Sequence, residues 1–117
     1  MKKKNVKRLV VINSLKKKEF LLLDDVVYLE ASDNSTFIYL VGDRKITVDI
    51  SLKECTLRIN DCYFRRVCKS FVINVNQVAT FDKTKSAILF HHNMQIKLPK
   101  EQHQAFQELL EELCICM

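Results

Sequence analysis

The run Tyr63-Phe64-Arg65-Arg66-Val67-Cys68-Lys69-Ser70-Phe71-Val72-Ile73-Asn74 holds the densest mixture of basic and aromatic residues in the chain. Arginine and lysine donors match phosphate oxygens and the O6 and N7 acceptors of guanine in the major groove, so Arg65, Arg66 and Lys69 are candidates for nucleic-acid contact. An equally simple reading pairs Arg65 or Arg66 with acids at the edge of the core, such as Asp61 or Glu30. Nucleophilic chemistry has less behind it. Cys68 with His91 or His92 would form a thiol dyad, yet no reactive-cysteine spacing surrounds it, and a buried structural thiol accounts for it. Cys62 and Cys68 make no CxxC pair, and Cys114-Ile115-Cys116 lies beyond the last periodic segment, so no metal is expected. His91, His92 and His103 read as solvated. With a single glycine, Gly42, the chain has no phosphate-cradling loop and no nucleophile elbow. The expectation is a chain that is not an enzyme, with no cofactor and no small-molecule substrate.

Alternation of β-branched and polar residues marks most segments as strands. Val6 to Ile12 and Glu19 to Leu23 read as a hairpin across a polar turn at Asn13 to Lys18. Strands follow at Val26 to Ala31 and Thr36 to Val41 around the loop Ser32 to Ser35, and Gly42-Asp43 closes a turn into Lys45 to Ile50. Ser51-Leu52-Lys53-Glu54 fits a reciprocal capping box, which starts a short helix with Leu52, Cys55, Leu57 and Ile59 on its apolar side. After the basic and aromatic run come strands at Val78 to Phe81, Ser86 to Phe90 and Met94 to Leu98. Phe106, Leu109, Leu110 and Leu113 fall at helical spacing, so Lys100 to about Cys114 is an amphipathic helix. Its acids Glu101, Glu108, Glu111 and Glu112 would be repelled by phosphates, which leaves binding to strands and loops. Three polar loops qualify: Ser32 to Ser35, Arg65 to Ser70, and the junction Leu98 to Lys100.

The 117 residues suffice for one domain and not for two. Hydrophobic residues at 48% and charged residues at 28% exclude a disordered or low-complexity chain. The apolar runs are strand-sized, which predicts no membrane partner and a soluble, cytoplasmic chain, and five cysteines without a framework spacing suit reduced thiols there. The net charge of +5 is unevenly placed: residues 1–18 carry eight cations and no acid, leaving 11 cations against 14 acids in the remainder. Residues 1–6 are read as a basic arm and 7–117 as a single domain. The arm either supplies sequence-independent attraction to phosphates or merely keeps the chain in solution, and charge alone favours neither.

Phe64 to Asn74 resembles the central motif of LytTR-type DNA-binding domains, which runs F-x-R-x-H-x-S-y-x-V-N. Val26-Val27-Tyr28-Leu29-Glu30-Ala31 is similar to that family's I-x-Y-I-E-A strand, Ser51-Leu52-Lys53-Glu54 to its S-L-K-E helix start, and Ile96-Lys97-Leu98-Pro99-Lys100 stands where it has I-P-V-S-R. The resemblance covers residues 7–113. It implies a mainly β fold of LytTR-like small antiparallel sheets, with one short mid-chain helix and a C-terminal amphipathic helix. It also implies a stand-alone bacterial regulator equivalent to a response-regulator output domain. Such a protein would read tandem sites in double-stranded DNA through loops in the major groove, with self-association on those sites. Carried over residue by residue, it offers Asn34, Ser35, Lys69 and Lys100 at loop tips, with Arg66 and Ser70 on the DNA backbone. Three positions depart from the pattern: Cys68 replaces His, Ser35 replaces Tyr, and Pro99, equally suited to the first turn of a helix, replaces Ser. The alternative function is a protein-interaction module that kept the fold without strong DNA binding.

Overall fold

The alternating segments form ten strands in three antiparallel sheets in the computed structural model, which describes residues 8–12 and 17–113, with 8–12 and Leu113 described by backbone alone. β1 (Arg8–Ile12) pairs with β2 (Lys18–Leu22) as a separate hairpin. β3 (Val26–Ser32), β4 (Ser35–Leu40), β5 (Arg44–Val48), β6 (Phe64–Arg66) and β7 (Phe71–Asn74) make a five-stranded sheet in the order β5-β4-β3-β7-β6. β8 (Val78–Asp82), β9 (Ala87–Phe90) and β10 (Gln95–Lys97) form the third sheet. Two α-helices complete the fold among the described residues, α1 (Leu52–Ile59) and α2 (His103–Leu113), giving the mainly β architecture expected. The basic arm, the turn residues 13–16, Cys114 and Cys116 lie outside the described residues.

Period-2 alternation puts a core on each face of the central sheet. In β4, Thr36, Ile38 and Leu40 are buried on one side while Phe37 and Tyr39 look to the other. The first core joins that side to α1, β2 and the turn after β2 through Leu29, Ile38, Leu52, Ile59, Leu21 and Leu23. The second joins the opposite side to the three-stranded sheet and α2 through Val27, Ile73, Ile88, Phe90, Leu98 and Phe106. An irregularity in the β3–β4 register between Val26 and Tyr28 lets β3 serve both, with Val26 in the first core and Val27 and Tyr28 in the second. Each fully buried aliphatic side chain contributes about 1.5–3 kcal/mol, so the two cores together fix the sheet's position.

Both helices differ in detail from expectation. Ser51 caps α1, its hydroxyl accepting from the Glu54 amide at 3.1 Å, but the reciprocal half of the box is missing. The Glu54 carboxylate instead meets Arg58 one turn on, at 3.0 Å. Leu57 is 64% exposed, which narrows the buried side to Leu52, Cys55 and Ile59, and Asn60 ends the helix in the left-handed conformation. Pro99 precedes rather than begins the last helical segment: its ψ of 145° is extended, and a single tight turn, Lys100–Gln102, intervenes before α2. His103 is half-buried rather than solvated, with its ring edge-on to Phe81 and its Nε2 3.2 Å from the Leu98 carbonyl.

Candidate nucleic-acid interface

The expected loop Ser32 to Ser35 narrows to a two-residue turn, because Ser32 and Ser35 are themselves paired as strand residues. Asp33 takes a positive φ of 52°, which its short side chain tolerates, and Asn34 stands exposed beside it. Ser35 is less free. Its hydroxyl donates to Asp49 Oδ1 at 3.1 Å, tying the turn to the chain after β5.

Residues 67–70 connect β6 to β7 and are braced from inside. Val67 is buried in the second core. Arg66 folds its guanidinium back over the loop, Nε donating to the Cys68 carbonyl at 3.2 Å and Nη2 to the Lys69 carbonyl at 2.6 Å. The Ser70 carbonyl accepts from the Ala31 amide at 2.8 Å, which fastens the loop to the end of β3 next to Asn34. Asn34, Arg66, Lys69 and Ser70 are thus exposed at one end of the five-stranded sheet. Neither arginine takes the acids expected from sequence: Arg66 serves the loop, and Arg65 Nη2 lies 3.2 Å from Glu112 Oε2 on α2.

The third loop arrives beside the second. Leu98 is buried, and its amide donates to the Ser86 carbonyl at 2.7 Å, so the junction is held to the β8–β9 turn while Lys100 stays exposed. Two residues on, Gln102 shares a groove of about 460 Å³ with Arg66, Cys68, Lys69 and Phe106. Glu108 and Glu112 line the same groove, so it is basic on the loop side and acidic on the helix side. Sequence reasoning misses Gln102. Its amide is of the type that reads adenine, and its position two residues after Lys100 is the available signal.

Other residues of the family-like segments serve the scaffold. Asn74 is 2% exposed, and its Nδ2 donates to the Leu23 and Val26 carbonyls while its Oδ1 accepts from the Asn76 amide. Tyr28 stacks between Tyr39 and Phe90, at ring separations of 4.4 and 5.4 Å. The Tyr39 hydroxyl donates to Glu30 at 2.9 Å. Burial, then the bond to Glu30 and its negative charge, push the Tyr39 hydroxyl up to about 12. Tyr28 is raised by burial and by the Glu30 charge. Burial also raises the Cys55 thiol against the lowering effect of its bond with Thr36, which suits an inert core thiol.

The sequence pattern of the LytTr DNA-binding domain matches residues 16–111. Among solved structures, the fold is similar to that of the LytTr DNA-binding domain of a protein described as a putative methyl-accepting/DNA response regulator from Bacillus cereus. The TM-score is 0.70 at 22% identity, covering 92% of this chain and 98% of the other. No curated protein matches the chain. The central motif from Phe64 to Asn74, the turn and junction set beside it, and the matched span of residues 16–111 together place this chain in the LytTr DNA-binding domain family.

Proposed function

We propose that the chain is a bacterial transcription regulator, working in the cytoplasm, that reads DNA sequence with the turn at Asn34, the loop at Lys69 and the junction at Lys100. The observation that carries this reading is the bond from the Ala31 amide to the Ser70 carbonyl, which sets the turn and the loop side by side. Lys69 and Gln102 share a groove, so the junction adds to the same surface. Asn34, Lys69 and Lys100 supply donors for base edges, and Ser70 supplies a hydroxyl for phosphate. Ser35 is occupied by Asp49 and acts by holding the turn. Arg66 contributes its charge to the DNA backbone and its two carbonyl bonds to the loop's shape.

A genome-wide binding map followed by mobility shifts on the recovered sites tests the reading. Lys69→Ala and Lys100→Ala should each weaken specific binding by about 1–3 kcal/mol if they reach base edges. Arg66→Ala should weaken cognate and random duplexes together through the lost charge, and cost cognate binding more because the loop that carries Lys69 loses two bonds. Wild-type specific affinity in all three variants would remove this surface from the interface and leave a protein-interaction module. Pairs of protomers on tandem sites require the repeats to fall on one face of the duplex. Inserting about 5 base pairs between repeats should then abolish cooperative binding, whereas about 10 should restore it.

A further inference from the structure

The lysines of the three-stranded sheet gather at one end of it. Residues 78–100 hold four of them, Lys83, Lys85, Lys97 and Lys100, against a single acid, Asp82. The register lines up Asp82, Ala87 and Lys97 as one row across β8, β9 and β10, so the β8–β9 turn and the exit of β10 toward Lys100 share that end. The turn is braced throughout. Asp82 Oδ1 accepts from the Lys85 amide at 3.1 Å, the Ser86 amide donates to the Lys83 carbonyl at 3.2 Å, and Ser86 takes a positive φ of 53°. Lys97 Nζ donates to the Lys85 carbonyl at 3.1 Å, and the Leu98 amide donates to the Ser86 carbonyl at 2.7 Å. All four lysines are exposed, and among the described residues none of them is paired with an acid.

Unpaired cations set side by side repel one another, and a polyanion lying along them relieves that repulsion. The exposed large apolar side chains among the described residues are Phe20, Leu22, Leu57 and Tyr63, and none of them belongs to this sheet. Charge without an apolar layer suits a phosphate chain in water rather than a lipid surface. The Leu98–Ser86 bond fastens the turn to the junction that carries Lys100, so the two meet the same stretch of duplex. We propose that Lys83 and Lys85 hold the phosphate backbone beside the base pairs that the Lys100 junction reads, while Lys97 shapes the turn and adds its charge. Lysine is a flexible point charge, which positions a strand without reading its sequence. The inference rests on the DNA reading proposed above and extends that interface to a fourth segment, which the sequence offers only as a turn between strands.

Titrations of wild type and of a variant carrying both Lys83→Ala and Lys85→Ala test it, over several salt concentrations, on a duplex recovered by the binding map and on a random duplex. The slope of log K against log salt should become shallower by about 1.8, about 0.9 for each phosphate released, on both duplexes, with their affinity ratio unchanged. Ethylating single phosphates beside the base pairs whose preference Lys100→Ala relaxes should weaken the wild type and leave the double variant unaffected. The turn is held by backbone groups, Asp82 and Lys97, so both alanines leave its bonds in place. Lys83→Arg with Lys85→Arg keeps the charge and should keep the wild-type slope. A wild-type slope in the folded alanine variant, or a shallower one in the arginine variant, would overturn the proposal. If every sequence binds alike while the alanine variant still loses slope, the phosphate contact stands and the reading of sequence falls. A sequence preference with an unchanged slope does the reverse, and binding to no duplex overturns both.

Discussion

Asn74 closes the most specific motif in the sequence, yet its side chain faces the interior. It joins the start of β3 to the end of β7 through the Leu23 and Val26 carbonyls and holds the Asn76 amide. Replacing it by alanine strands buried polar groups that water does not reach, so Asn74→Ala should destabilise the domain by about 2–4 kcal/mol in denaturant titration. A loss below about 0.5 kcal/mol would mean that these bonds are not essential. Tyr39 gives a second prediction, in pH. Its hydroxyl titrates at about 12 in the folded protein against an ordinary value of 10.0, so between those values the folded chain holds the proton that the unfolded chain has released. Stability from this group is whole below pH 10.0 and declines as pH rises toward about 12. Tyr39→Phe lacks the group, and its melting temperature should therefore fall less steeply than wild type over that window. Parallel curves would show that the Glu30 partnership does not bear on folding.

Between elements, the informative contact is that of α2 with β6. The Arg65–Glu112 pair is open to water, with side chains 35% and 63% exposed, so it adds no more than about 1 kcal/mol to stability. It does occupy a cation at the border of the proposed interface with an internal acid. Glu112→Gln should leave the melting temperature nearly unchanged, raise DNA affinity a few-fold, and steepen the salt dependence by about 0.9 if Arg65 then takes a phosphate. An unchanged slope would keep Arg65 off the DNA. This contact also shows what the sequence conceals. Strand alternation from Val26 to Val48 and the helical spacing of Phe106 and Leu109 are local periodicities, and the elements they predict are present. The Arg65 partner lies 47 residues away, and readings that pair either arginine with Asp61 or Glu30 have no means of finding it. Leu57 and His103 escape prediction for a related reason, since apolar spacing and residue type do not say how wide a buried face is or which ring packs beside it. The three loops are legible as polar interruptions. Their convergence depends on the Ala31–Ser70 bond and the groove beneath Lys69, both made by tertiary packing.

At the scale of the whole molecule, the charge layout separates two uses of the basic end. β3 runs from Val26 to Ser32, a rise of about 20 Å, with the Asn34 turn at its far end. Arg8 is paired with Leu22, one short turn before Val26, so β1 begins near the end of β3 opposite the Asn34 turn. A merely solubilising arm predicts that removing Lys2, Lys3 and Lys4 leaves the slope of log K against log salt unchanged for cognate and random duplexes alike. A slope reduced by about 0.9 for each lost contact, equal on both duplexes, would instead show the arm reaching phosphates across the domain. The same titration with Lys69→Ala should lower cognate affinity at every salt concentration and narrow the gap between cognate and random duplexes. Because only the loop variant is expected to change the affinity ratio, the two measurements separate sequence selection from sequence-independent attraction.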